Sequence, residues 1–301
     1  MGTDIIHAFG NHPDWDETHY FNFYDRKNDI CGLMRIALLP NRKEKMMACF
    51  FTMPDGTVVS SRHKVDFDKK ELAARNLRFE QIAPDKSWTL THAGTMMRTA
   101  GSKLRQSQVE MNLRFDGLNE IFDYRECATD VDISSNDTRS DGHIEQFGKI
   151  AGRLSIGLDE FNIAALGGRY QAWGVRKTIQ TKSWKWLNCQ FSEECALNIS
   201  KLTMGDSEID AGFVYDGGKN IPITSAKIDT DYHVGMKPRS FRLSLNGKDG
   251  QTFIVTGRVV KNLELPSANA DDAEGSKTFE ALAKYDMGEK MGYGMSEYLL
   301  R

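Results

Sequence analysis

The stretch SQVEMNLRF, Ser107–Phe115, alternates without a break. Val109, Met111, Leu113 and Phe115 project to one side of an extended chain, and Glu110, Asn112 and Arg114 to the other. Period two with one apolar side is the pattern of a strand that covers a core on one face and meets water on the other. Comparable runs precede it at Cys31–Leu38, Met46–Met53, Thr57–Lys64 and Ser87–His92. Others follow at His143–Ile156, Phe161–Ala165, Ser183–Phe191, Cys195–Leu202, Ile209–Tyr215, Ile221–Ile228, Arg239–Leu245, Gln251–Val260 and Thr278–Tyr285. Turn residues separate them: Asp55-Gly56 in the first half, Asp216-Gly217-Gly218 and Asn246-Gly247 in the second. The sequence predicts an antiparallel all-β protein, with a single helix-prone segment at Asp66–Leu77 that Asp68 would cap.

The chain has 301 residues, room for one large β domain or two of about 150 residues each. Similar hairpins in each half suggest a duplicated unit, and the polar, turn-rich region Cys127–Asp141 is the natural boundary. The expected domains are 1–135 and 136–301. Lys and Arg number 39 against 42 Asp and Glu, so no field attracts a polyanion, and nucleic acid is excluded as a partner. No apolar run reaches the ~18 residues of a membrane span, so no stable membrane insertion is expected. The N-terminus lacks a basic and apolar leader, and Ile6 stands where a myristoylation site needs Ser or Thr. Five scattered cysteines lack any C-x-x-C pair, which fits a reducing, cytoplasmic setting. No histidine or cysteine spacing offers a metal site, and no phosphate-cradling glycine motif is present, so no cofactor is expected. Nothing in the sequence defines an oligomeric state.

Two segments are richer in chemistry than a β scaffold needs. His12–Asp25 mixes Asp16, His19 and Tyr20 among aromatics, types that can line a pocket or exchange protons, or simply pack as a strand. Leu166–Arg176 surrounds Tyr170, Gln171 and Trp173 with paired glycines and with Arg169 and Arg176. It suits a barrel mouth, or equally a corner where the arginines stack on Trp173. In His143–Gly148, alternation puts His143, Glu145 and Phe147 on one face; a Glu145 buried in an apolar barrel would be a proton donor.

In order along the chain, HPDWDETHYFNFYD (His12–Asp25), HIEQFGKIAG (His143–Gly152), GGRYQAWGVR (Gly167–Arg176) and GYGMSEY (Gly292–Tyr298) resemble the AttH-like and carotenoid 1,2-hydratase-like family of the lipocalin/calycin group, which also includes decalin-forming Diels–Alderases. The resemblance spans nearly the whole chain. It implies two tandem lipocalin-like barrels and cofactor-free chemistry on a large, apolar, polyene-like molecule. Relatives often read R-D-H-S-W-G-x-R where this chain has Arg169-Tyr170-Gln171-Ala172-Trp173-Gly174-Val175-Arg176, so the Asp-His pair is missing. The expectation is therefore a cofactor-independent cyclase, isomerase or hydratase of an isoprenoid- or polyene-like substrate, or else a carrier or sensor of a lipid-like ligand. Glu145, Tyr170 and Asp16 are the expected catalytic groups. Trp173, Gln171, Arg169, Arg176, His19 and Tyr20 are the expected substrate contacts.

Overall fold

The computed structural model describes residues 6–68, 71–127, 140–175, 181–263 and 277–300. Among these residues the chain is almost entirely strand, and every strand pairing is antiparallel. The first unit contains β1 (Trp15–Asp25), β2 (Ile30–Leu39), β3 (Glu44–Thr52), β4 (Val58–Asp66), β5 (Ala73–Ala74), β6 (Leu77–Ala83), β7 (Ser87–Ala100), β8 (Lys103–Gly117), β9 (Phe122–Asp123), β10 (Ser140–Ile156) and β11 (Asp159–Val175). They form one sheet of eleven strands in which β4 also pairs with β7. That extra pairing returns the path β1-β2-β3-β4-β7-β8-β10-β11 to its start, where β11 pairs with β1.

The second unit is a closed barrel of consecutive strands: β12 (Thr181–Ser192), β13 (Cys195–Met204), β14 (Ser207–Asp216), β15 (Lys219–Tyr232), β16 (Pro238–Gly247), β17 (Thr252–Leu263), β18 (Lys277–Met287) and β19 (Lys290–Leu300). The short 3₁₀ turn Tyr124–Cys127 belongs to this unit. Its Tyr124 hydroxyl donates to Asn198 Oδ1, and its Cys127 Sγ lies 2.8 Å from the Gly212 carbonyl oxygen.

The expected division at 135/136 is corrected by this pairing. β10 and β11 complete the first ring, because β8 pairs with β10 and β1 with β11. The change of barrel falls after Val175, between β11 and β12. A ring closes only when its last strand meets its first, so a boundary drawn at the most polar loop cut the ring open.

Alternation places the cores. Val109, Met111, Leu113 and Phe115 are buried while Glu110, Asn112 and Arg114 are exposed, as the sequence reading requires. They join Phe21, Phe23, Met34, Ile36, Phe51 and Trp88 inside the first barrel. Leu187, Leu197, Ile199, Val214, Leu243, Val255 and Tyr285 fill the second. Each large side chain removed from water in this way stabilises the fold by about 1.5–3 kcal/mol. The helix expected at Asp66–Leu77 is absent from the described part of that segment, which holds the two-residue strand β5. Leu72, Ala74 and Leu77 are drawn into the first core, and Asp68 accepts a 2.9 Å hydrogen bond from buried Lys45 instead of capping a helix. Tertiary burial here overrides local propensity.

Candidate functional site

In β1 the side chains of Phe21 and Phe23 point into the first core, so Glu17 and His19, of the same parity, point inward too. Across the β1–β11 ladder Glu17 lies opposite Trp173, His19 opposite Gln171 and Phe21 opposite Arg169. Strand pairing thus gathers on one inner face a carboxylate, an imidazole, an amide and an indole. A chain segment before β1 adds His7.

Glu17 is the hub. Its carboxylate accepts hydrogen bonds from Gln171 Nε2 at 2.7 Å and from the His7 backbone N–H at 2.9 Å. His7 Nδ1 lies 3.0 Å from Glu17 Oε1, and His19 Nε2 lies 3.5 Å from the same oxygen. The His7 ring stacks on Trp173 at 3.7 Å, nearly parallel. The glycine at position 142 makes room for that indole, since a Cβ there would come within 2.1 Å of the Trp173 ring. Glu17, His19 and Gln171 are all buried. Burial by itself would push the Glu17 carboxyl up, but the neighbouring His19 and His7 imidazoles and the His7 N–H outweigh it and hold the pKa at about 2. Glu17 is therefore a buried anion at neutral pH, in an apolar barrel.

Aromatic rings border this group. His19 lies 5.9 Å from Trp88, and Phe21 meets the edges of Phe79, Trp88 and Phe115. The Trp88 Nε1–H is buried and has no hydrogen-bond partner among the described residues. Arg169 donates to Gln146 Oε1 at 2.8 Å and lies over Trp88 and Phe115 rather than on Trp173. Gln146 in turn donates to the Asp85 and Asn119 carbonyls, so Arg169 is tied to the barrel wall.

Alternation splits the expected site residues between two faces. His19, Gln171, Arg169 and Trp173 share the inner face. Asp16, Tyr20, Tyr170 and Glu145 are of opposite parity and share the outer one. There Tyr20 and Tyr170 stack at 4.7 Å, and Glu145 Oε1 lies 2.9 Å from His143 Nε2. Arg176 lies outside the described residues. Glu17 and His7 are members of this candidate site that the sequence reading did not single out. The parity of Phe21 and Phe23 signals Glu17, one residue from Asp16 but on the other face; nothing in the sequence signals His7. Among the described residues no group of three or more His, Cys, Asp or Glu side chains is placed to hold a metal ion, and no helix is long and apolar enough to cross a membrane.

Two antiparallel barrels, the first with a buried acid–imidazole cluster, define a lipocalin-like double-barrel protein. Residues 2–300 match the family described as Domain of unknown function (DUF7064), and the chain belongs to that family. No curated protein matches the sequence. The fold is similar to that of a protein of Nitrosomonas europaea assigned to AttH (TM-score 0.61, 10% identity, 98% of this chain and 97% of the other). It is similar to CghA crystallised with Sch210972 (TM-score 0.60, 11% identity, 99% and 93%). It is also similar to kievitone hydratase from Nectria haematococca (TM-score 0.59, 10% identity, 99% and 95%). The fold is thus the AttH-like one that the sequence motifs resemble.

Proposed function

We propose that this protein is a cofactor-independent enzyme that hydrates, isomerises or cyclises an unsaturated, isoprenoid- or polyene-like molecule by moving a proton inside the first barrel. The observation that carries the reading is the buried Glu17–His19 pair on an inner face bordered by the Phe21 and Trp88 rings. A carrier of apolar ligands has no use for a desolvated anion, which costs several kcal/mol unless paired. An acid–base catalyst does. His19 is the proton donor, and Glu17 is the fixed negative charge beside it, facing any cation that develops on the substrate. The Phe21 and Trp88 rings add cation–π stabilisation along the wall. One protein of similar fold is itself a hydratase, kievitone hydratase.

The missing Asp-His pair of the resemblance fits this assignment. At the position where relatives carry the imidazole, this chain has Gln171, and His19 lies directly opposite on β1. The imidazole has in effect crossed to the neighbouring strand, and Gln171 now holds its carboxylate partner.

Native mass spectrometry of protein purified from its source organism, looking for a retained lipid, supplies the substrate. Incubation with that molecule should give a product heavier by one water, or an isomer of equal mass. His19→Gln and Glu17→Gln should each slow turnover by about 10²-fold or more. Full turnover in both variants would overturn the reading.

A further inference from the structure

The second barrel has a cavity of its own. Its closing strand β19 lies against β12 because Gly292 and Gly294 leave no side chain to clash; a Cβ on Gly294 would sit 1.9 Å from the Asn188 carbonyl oxygen. That seam sets Tyr298 directly opposite Lys185, with Lys201 on the other side of Lys185. Alternation from the buried Leu187 and Leu197 turns both lysines into the barrel. Beside Lys185 opens a space of about 550 Å³, lined also by Ile228, Asp229, Asp231, Tyr232, Phe241 and Arg242. Gly257 keeps it open beneath the Phe241 ring, which a Cβ would meet at 2.0 Å.

The two lysines differ. Lys201 is neutralised by Glu208 at 2.8 Å and Asp210 at 2.9 Å. Among the described residues Lys185 has no carboxylate within ion-pair distance, and its ammonium lies 6.0 Å from the Tyr298 ring centre. The acids at the rim are engaged elsewhere: Asp229 pairs with Lys227 at 3.2 Å, and Asp231 accepts the Ser240 hydroxyl at 2.8 Å. Burial, with repulsion from Lys201, outweighs the attraction of Glu208 and Asp229 and holds the Lys185 ammonium below the ordinary lysine range. A half-buried cation with no carboxylate in ion-pair contact, on a wall it shares with Arg242, gains from an anion that enters the cavity.

We propose that the second barrel binds an amphipathic organic carboxylate, its head group on Lys185 and its apolar body between Ile228 and Phe241. The volume falls in the usual range for small-molecule sites, about 300–1,000 Å³. This site is independent of the Glu17–His19 cluster and stands or falls without it.

cis-Parinaric acid and its methyl ester share one fluorescent polyene body and differ only in charge. The full-length protein, titrated with each, should prefer the acid by about tenfold or more, a preference of about 1.4 kcal/mol. Lys185→Met should erase that preference while keeping ester binding, and Lys185→Arg should retain most of it. Both replacements leave a long apolar stem in place, and Lys185→Gln provides a second neutral variant should the methionine fold poorly. Lys182→Met, which removes an exposed lysine that lies 3.6 Å from Asp206, should leave both affinities unchanged. Failure of the wild-type protein to bind the acid, a preference that survives in the neutral variants, or one lost in Lys182→Met would each overturn the proposal.

Discussion

Glu17 carries a pH signature of its own. Its folded pKa of about 2 lies below the ordinary 4.5, so the unfolded chain takes up the proton first as the solution is acidified. The stability it contributes is fully present above about pH 4.5 and is lost as the pH falls toward 2. Melting temperature followed between pH 6 and pH 2 should therefore drop more steeply in the wild type than in Glu17→Gln; parallel curves would refute this. Gln171→Leu removes the 2.7 Å donor to Glu17, and should cost about 1–3 kcal/mol of stability and slow turnover by about tenfold or more. Tyr170→Phe keeps the stack on Tyr20 and lies on the outer face, so turnover of the same substrate should be unchanged. The two neighbours in sequence thus give opposite results, and an equal loss in both would show that the inner face is not the reacting one. Composition could mark His12–Asp25 and Leu166–Arg176 as unusual, because clustered aromatics and ionisable groups are visible in any order. Choosing Glu17 over Asp16 needed the strand's parity, and that parity was already written in Phe21 and Phe23. His7 depends on where a segment outside any strand comes to rest, a long-range outcome that local pattern does not encode.

At the level of strands, the barrels hold together where glycine lets backbones touch. Gly167 in β11 faces β1 so closely that a Cβ would lie 2.0 Å from the Asn22 carbonyl oxygen. Backbone cannot swing aside as a side chain can, so Gly167→Ala should force β1 and β11 apart and cost about 1–3 kcal/mol, read as a lower urea midpoint. Gly10, with nothing within 4 Å of the same added carbon, should accept alanine without change. Equal effects at the two positions would remove close approach as the cause. The alternating strands were legible from the sequence because half-buried faces impose period two on residue choice. β5 was not, because helix formers such as Glu71, Leu72 and Ala73 were overruled by a core that only the assembled sheet creates.

For the whole molecule, the ring path decides where the chain can be divided. A fragment ending at residue 135 lacks β10 and β11 and leaves β1 and β8 as open edges, whereas 181–301 carries every strand of the second barrel. Amide NMR spectra should show the first fragment unfolded or aggregated and the second dispersed; a dispersed spectrum for 1–135 would contradict ring closure through β11. The presence of two barrels was expected from hairpins in both halves of the chain. Their boundary was not legible, because polarity marks loops and not which strand completes a ring. The cysteines follow the same partition, with Cys31 and Cys49 in the first unit and Cys127, Cys189 and Cys195 in the second, all buried. Burial pushes the Cys49, Cys127, Cys189 and Cys195 thiols up, away from the reactive thiolate. An alkylating reagent can therefore reach them only during an opening event, and the mass it adds identifies the barrel that opened. Two labels acquired together timestamp the first barrel and three the second, so one mass spectrum recorded over time yields two separate clocks from an unmodified chain.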